Sequence, residues 1–187
     1  MTWIVLGIVV LLVLWGIATY NRLIGLKNQK ENGWRQIDVQ LKRRHDLIPN
    51  LVNTVRGAME FERDTLTQVM EARAKAMAAS GPADASRKEG ELTQALGRLF
   101  AVAENYPQLR ANENVKMLQE ELAATENKVS FARQFYNDIA TKYNIARETF
   151  PSNLIAGSLG FTPAELFEIT DEAERQVPTV DLSMRKT

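Results

Sequence analysis

The sequence predicts an all-α protein, in which an N-terminal transmembrane helix leads into a long antiparallel three- to four-helix bundle. Three observations predict it. An uncharged apolar run spans Trp3 to Tyr20, apolar residues recur at steps of three and four over most of the remaining chain, and beyond Asn21 there is neither period-two alternation nor an Asn-Gly hairpin signal. The expected organisation is a transmembrane anchor over 1–20, a helical bundle over 21–151, and an irregular cap over 152–187 with a short acidic helix and a tail.

Composition narrows the chemistry. A chain of 187 residues with 45% hydrophobic content can bury one ordinary core. With no cysteine and a single histidine, disulfide frameworks, Cys/His zinc clusters, iron–sulfur sites and thiol nucleophiles fall away. Net charge is zero, but residues 1–79 carry 11 Lys/Arg against 7 Asp/Glu and residues 80–187 carry 12 against 16. So mild an asymmetry fits helices pairing within the protein better than a basic nucleic-acid surface, and no nucleic-acid partner is expected.

The run WIVLGIVVLLVLWGIATY, roughly 18 residues at about 1.5 Å each, approaches the thickness of a hydrocarbon core. A cleaved signal peptide needs a positive n-region and a shorter apolar stretch, whereas only Met1 and Thr2 precede Trp3. Trp3 and Tyr20 bracket the run, as amphipathic rings do at headgroups. The partner expected for residues 3–20 is therefore the lipid bilayer of the cell membrane. Arg22, Lys27, Lys30 and Arg35 follow it with only Glu31 opposing, so the positive-inside bias places the N-terminus outside and the C-terminal body in the cytoplasm; the alternative puts the body on the periplasmic or extracellular side.

The first soluble seam runs Trp34, Ile37, Leu41, Arg44, Ile48, Leu51, Val55 and Ala58, with Arg44 its one cation. A rod continuing to Ala79 is expected to kink or break near Pro49, which lacks an N–H and clashes with the preceding turn. SGPADAS reads as a loop, and Ser86-Arg-Lys-Glu89 as the capping box of a helix running to about Tyr106, stopped by Pro107. The third seam, Val115, Leu118, Leu122, Thr125, Val129, Ala132, Tyr136, Ile139, Tyr143, Ala146 and Phe150, steps by three or four throughout and demands a partner seam of similar length. Phe150-Pro151 ends it, and Gly157, Gly160 and Pro163 mark irregular chain before the acidic stretch ELFEITDEAERQ.

The Tyr20-Asn21 pair, the block from Gln40 to Val55, the run from Tyr143-Asn144 to Phe150-Pro151 and the following AGSLGF resemble the LemA family of small membrane-anchored helical proteins. The likeness extends from about Tyr20 to Phe167, and IDVQLKRRHDLIPNLV is its distinctive block. It implies an N-terminal anchor, a short outward-facing terminus and an interior α-helical domain, and it supplies no active site. The family-motif residues taken as structural or partner candidates are Tyr20, Asn21, Gln40, Lys42, Arg43, Arg44, Asp46, Pro49, Asn50, Tyr143, Asn144, Phe150 and Pro151.

Each chemical reading has a plainer rival. His45-Asp46 suggests a metal dyad, but no second histidine exists and adjacent helical side chains point about 100° apart, so no metal site is expected and His45→Ala should leave folding unchanged. Lys42-Arg43-Arg44 suits phosphate, a protein surface, or internal pairing with Glu120, Glu121, Glu126 or Asp138 on the third helix, and internal pairing is favoured. Stacking aromatics are missing between Trp34 and Phe61, and on a straight helix Arg43 stands roughly 34 Å from Tyr20, beyond reach of lipid charge. Tyr136-Asn137 and Tyr143-Asn144, seven residues apart, form a polar rail expected to bond across to Gln40 and Asn50 and fix register; a cofactor stripe is the alternative. Glu165, Glu168, Asp171, Glu172 and Glu174 lack the glycine turn of an EF-hand and read as a solvated face.

No nucleophile–base pair, phosphate loop or cofactor fingerprint occurs, so neither catalysis nor a cofactor is expected. The expected function is a membrane-anchored scaffold or adaptor presenting a surface to other membrane or cytoplasmic proteins or, as a homo-oligomer, to its own copies. The alternative is a membrane-tethered sensor binding a small ligand between helices, which an apolar pocket around Ala72 to Ala79 would favour.

Overall fold

The computed structural model describes residues 1–59 and 62–168 and builds them as six helices without a strand among them. Helix α1 (Thr2–Arg56) is a single rod of 55 residues, about 80 Å at 1.5 Å per residue. Its first part is apolar on every side and unburied, a segment long and apolar enough to cross a membrane. From Leu23 onward the helix becomes amphipathic and buries Ile37, Leu41, Arg44, Ile48, Leu51 and Val55 along one stripe.

The break expected at Pro49 does not occur there. α1 runs through Pro49, and the chain reverses after Arg56, where Met59 is fully buried. Proline removes one hydrogen bond, the one its N–H would donate to the carbonyl of His45. Arg73 on α2 takes over that carbonyl, donating from Nε at 2.7 Å. The lost bond is thus replaced from a neighbouring helix.

α2 (Arg63–Met77) and α3 (Gly81–Ala103) form a hairpin against the far end of α1. The expected loop SGPADAS is instead the first turn of α3. Gly81, at φ +80°, opens it, and Pro82 follows in the first turn, where a missing N–H leaves nothing unpaired. Asp84 accepts the Ser80 N–H at 3.0 Å, and Lys88, that N–H and Arg87 together hold its carboxyl well below the usual carboxylate range. Ser86 and Glu89 therefore lie inside the helix and are free for other work. α3 ends at Ala103, short of Tyr106, and Pro107 starts a further turn, α4 (Pro107–Arg110).

α5 (Glu113–Glu148) begins at an Asn112 cap, whose Oδ1 accepts from Asn114 N at 2.9 Å and Val115 N at 3.4 Å. It returns antiparallel along α1. Its seam is buried from Val115 to Ala146, with Ala132 half-buried; Phe150, the expected last member, is exposed. A Cβ at Gly33 would stand 3.3 Å from the Cα of Tyr136, so the two rods approach closely where α1 has no side chain. α6 (Ser152–Ser158) then turns back beside α1, and residues 159–168 continue without regular structure, including Glu165 to Glu168 of the expected acidic helix. The rest of that stretch, with Asp171, Glu172 and Glu174, lies outside the described residues.

Two cores result. Away from the apolar end, α1, α2, α3 and α5 enclose residues such as Leu51, Val69, Leu92, Leu99 and Leu122. Nearer that end, α1 and α5 form a two-helix stalk whose core is completed by Ala164 and Phe167.

Candidate functional site

The distinctive block places Arg44 and His45 on the buried side of α1, while Lys42, Arg43, Asp46 and Asn50 face outward. Arg44 Nη1 donates to Glu89 Oε2 at 2.9 Å, and Nη2 donates to Thr93 Oγ1 at 2.8 Å and lies 3.0 Å from Glu126 Oε2. His45 Nε2 sits 2.5 Å from Glu89 Oε1, so the two carboxylate oxygens of Glu89 are divided between neighbouring residues of α1. Thr93 directs its own hydroxyl proton to Glu89 O at 3.0 Å. Arg44, His45 and Glu89 are all buried. Charges at this depth persist only when paired and hydrogen-bonded, and the pairing joins α1, α3 and α5 at one level.

Arg43 Nη2 donates to Glu121 Oε2 at 2.8 Å, with both side chains about half exposed. Internal pairing with α5 thus includes two of the acids expected, Glu121 and Glu126. Glu89 was missed because it read as a helix cap. The expectation for His45 is corrected: its substitution would strip a buried carboxylate of one partner. Asp46 points outward, away from His45, and among the described residues no group of three or more His, Asp or Glu side chains could hold a metal ion. A polar cleft of about 490 Å³, lined in part by Arg44, Glu89, Glu126 and Arg133, opens beside the buried node.

The polar rail exists, with a different occupant from the one expected. Asn144 pairs with a backbone unit in both directions, Nδ2 donating to Ala164 O at 2.9 Å and Oδ1 accepting Ala164 N at 2.8 Å. Asn137 does the same with Phe167, at 3.0 and 2.9 Å. Tyr143 donates to Thr162 O at 2.9 Å and Tyr136 to Glu165 O at 2.7 Å. Ser86 of α3 completes the row by donating to Glu168 O. Gln40 and Asn50 take no part: Gln40 keeps an enclosed Oε1 without a hydrogen-bond partner, and the Asn50 carbonyl accepts from Thr54 Oγ1.

The spacing explains the match. Seven helical residues rise about 10.5 Å, and three extended residues span about 10 Å. A Tyr-Asn pair repeated after seven positions therefore meets an antiparallel extended chain every third residue. Burial first, and the nearby Glu165 second, push the Tyr136 hydroxyl up to about 12, and burial likewise raises Tyr143, so both remain protonated donors. Trp34 packs on the rings of Tyr136 and Phe167, at centroid distances of 5.8 and 6.1 Å, and Lys30 Nζ lies 5.2 Å from the Tyr143 ring centre. Every hydrogen bond from the rail reaches main chain, so the side-chain trace of the strap is limited to the apolar residues Phe161, Ala164 and Phe167 at every third position.

The remaining motif residues lie at the apolar end of the molecule. Tyr20 meets Phe161 edge-on at 6.1 Å, while Asn21, Phe150 and Pro151 are exposed.

The pattern of the LemA family matches residues 33–182, which takes in the buried node and the rail. The chain is 25% identical over 189 residues to magnetosome protein MamQ 2 of Paramagnetospirillum magneticum, covering 87% of this chain and 70% of that protein. It is also 25% identical over 166 residues to protein LemA of Metamycoplasma hominis, covering 87% and 74%. On the extent of that match, with the buried Arg44 node and the tyrosine–asparagine rail inside it, the chain belongs to the LemA family.

Proposed function

We propose that the chain is a non-catalytic membrane-anchored scaffold, its apolar N-terminal helix crossing the bilayer and its body presenting a surface to other proteins. The observation that carries this reading is the continuity of α1, one helix that joins the apolar segment to the body without interruption and so holds the body close to the bilayer. The buried polar side chains support it, since Arg44, His45 and Glu89 are spent on one another. An exposed apolar strip, Val39 on α1 with Phe131 and Phe135 on α5, is the surface assigned to the partner. The cationic flank of α1 supports a cytoplasmic body and an outside N-terminus.

The test uses the absence of cysteine from the sequence. Phe131→Cys and Val39→Cys, carrying a photo-crosslinker in intact membranes, should give discrete protein adducts, and Met117→Cys at the far end should not. Adducts absent from Phe131 and Val39 would remove the scaffold reading. A sensor is the second reading, favoured by an apolar groove of about 760 Å³ between the end of α1 and α2, lined by Val52, Met59, Leu66, Met70 and Ala74 with Arg56 and Arg63 at its edge.

A further inference from the structure

The turn between α5 and the strap has a composition that the scaffold reading leaves unused. From Thr149 to Ala164 there is no Asp, Glu, Lys or Arg. Phe150, Leu154 and Leu159 are 75%, 64% and 56% exposed, an apolar cluster of a kind soluble surfaces seldom leave open. Its place in the fold is specific. Leu23, Ala146 and Ala156 share a small core, Phe161 rests on Tyr20, and Ile155 Cδ1 lies 3.9 Å from where a Cβ on Gly16 would stand. Gly16 belongs to the apolar run, four residues inside Tyr20, or about 6 Å along the helix.

Three hydroxyls of the turn are returned to nearby backbone, while the Asn153 side chain is exposed. Thr149 Oγ1 donates to Ile145 O, Ser152 Oγ to Ala146 O and Thr149 O, and Ser158 Oγ to Ile155 O, at 2.7 to 3.0 Å. Leu159 N and Phe161 N bond to Ile155 O and Ala156 O. Hydroxyls returned to the backbone in this way need no water, the condition lipid imposes. Arg22, Lys27 and Arg147 follow on the side towards the body, where lipid phosphates would lie.

We propose that Phe150–Phe161 is a second membrane contact: a wedge that enters the headgroup and acyl boundary of the leaflet from which α1 emerges, with Phe150, Leu154 and Leu159 in lipid. The occupant of this apolar face is the bilayer, because the face is continuous with the apolar run and its depth of about 6 Å falls within the 5–10 Å typical of interfacial helices. Two contacts then fix the rotation of the body about the α1 axis, which a single span leaves free. The proposal rests on the anchor reading of residues 3–20.

The test takes the full chain in phosphatidylcholine–phosphatidylglycerol vesicles, with a bimane fluorophore on a single introduced cysteine. Leu154→Cys and Leu159→Cys should lose about twofold or more of their emission to a lipid bearing a nitroxide near the headgroup end of its acyl chain. Leu11→Cys should be quenched by a nitroxide deep in the chain, and Met117→Cys by neither. Quenching at Leu11 with none at Leu154 and Leu159 would overturn the wedge and leave the anchor standing, and a protein cover over the turn would give the same result. No quenching at Leu11 would overturn the anchor, and the wedge with it.

Discussion

The two halves of α5 carry the same heptad seam and use it differently. From Val115 to Leu122 the seam is aliphatic and packs into the core with α1, α2 and α3. From Tyr136 to Ala146 α1 is the one long helix it faces, and the rest of its enclosure is α6 beside Ala146 and an extended strap bonded through its main chain. The first half gains stability from apolar area and one buried charged node, the second from a row of directional bonds to main chain. Equal periodicity therefore does not imply equal partners. The polarity of the seam residues distinguishes the cases: aliphatic positions accept any apolar surface of the right shape, whereas Tyr and Asn at fixed spacing require donors and acceptors at fixed spacing.

Removing the charged node should separate the halves most sharply. Arg44→Ala leaves Glu89 buried with His45 as its remaining partner, and breaking a buried pair in this way costs about 3–5 kcal/mol. Urea unfolding should report that loss for the whole body, while the Phe167 amide, bonded to Asn137, stays protected from hydrogen exchange in the native state. Exposure of Phe167 ahead of global unfolding would mean that the halves are coupled. Asn137→Ala should do the converse at about 1–3 kcal/mol, since it strands the N–H and carbonyl of Phe167. Its signature is rapid exchange at Phe167 with α3 amides unchanged.

The rail should also titrate. Tyr136 has its hydroxyl raised from 10 to about 12 in the folded chain, so the fold favours the neutral phenol. That contribution is fully present below pH 10 and is lost as pH rises from 10 through about 12. Tyr136→Phe, costing about 1 kcal/mol at neutral pH, should flatten this alkaline decline in stability; an unchanged decline would point to other groups. The smallest effect is expected of Arg43→Ala, whose half-exposed pair with Glu121 is worth about 0–1 kcal/mol by thermal unfolding.

Much of this was legible in the residues. The α5 seam, the anomaly of Arg44 on an apolar stripe and two of the acids facing the basic run all follow from periodicity and charge. What escaped has two causes, a misplaced helix start and backbone groups acting as partners. Ser86-x-x-Glu89 matches a cap, but Gly81-Pro82 begins the helix earlier and releases both side chains. The Tyr-Asn repeat announces a rail without naming its occupant, because the strap is recognised through amides that every residue possesses. Pro49 signals a broken hydrogen bond, and the sequence does not show that Arg73 replaces it.

That replacement has a consequence for assembly of the fold. A long helix with all its carbonyls paired offers only side chains by which a docking hairpin can set its level, and here Arg44 and His45 do so for α3 through Glu89. The bare carbonyl of His45 is a landmark on that rod. It is part of the main chain, so no rotamer change moves it, and only one placement of α2 lets Arg73 reach it. The proline thus gives α2 its own address on α1, one helix over from the address that Glu89 gives α3.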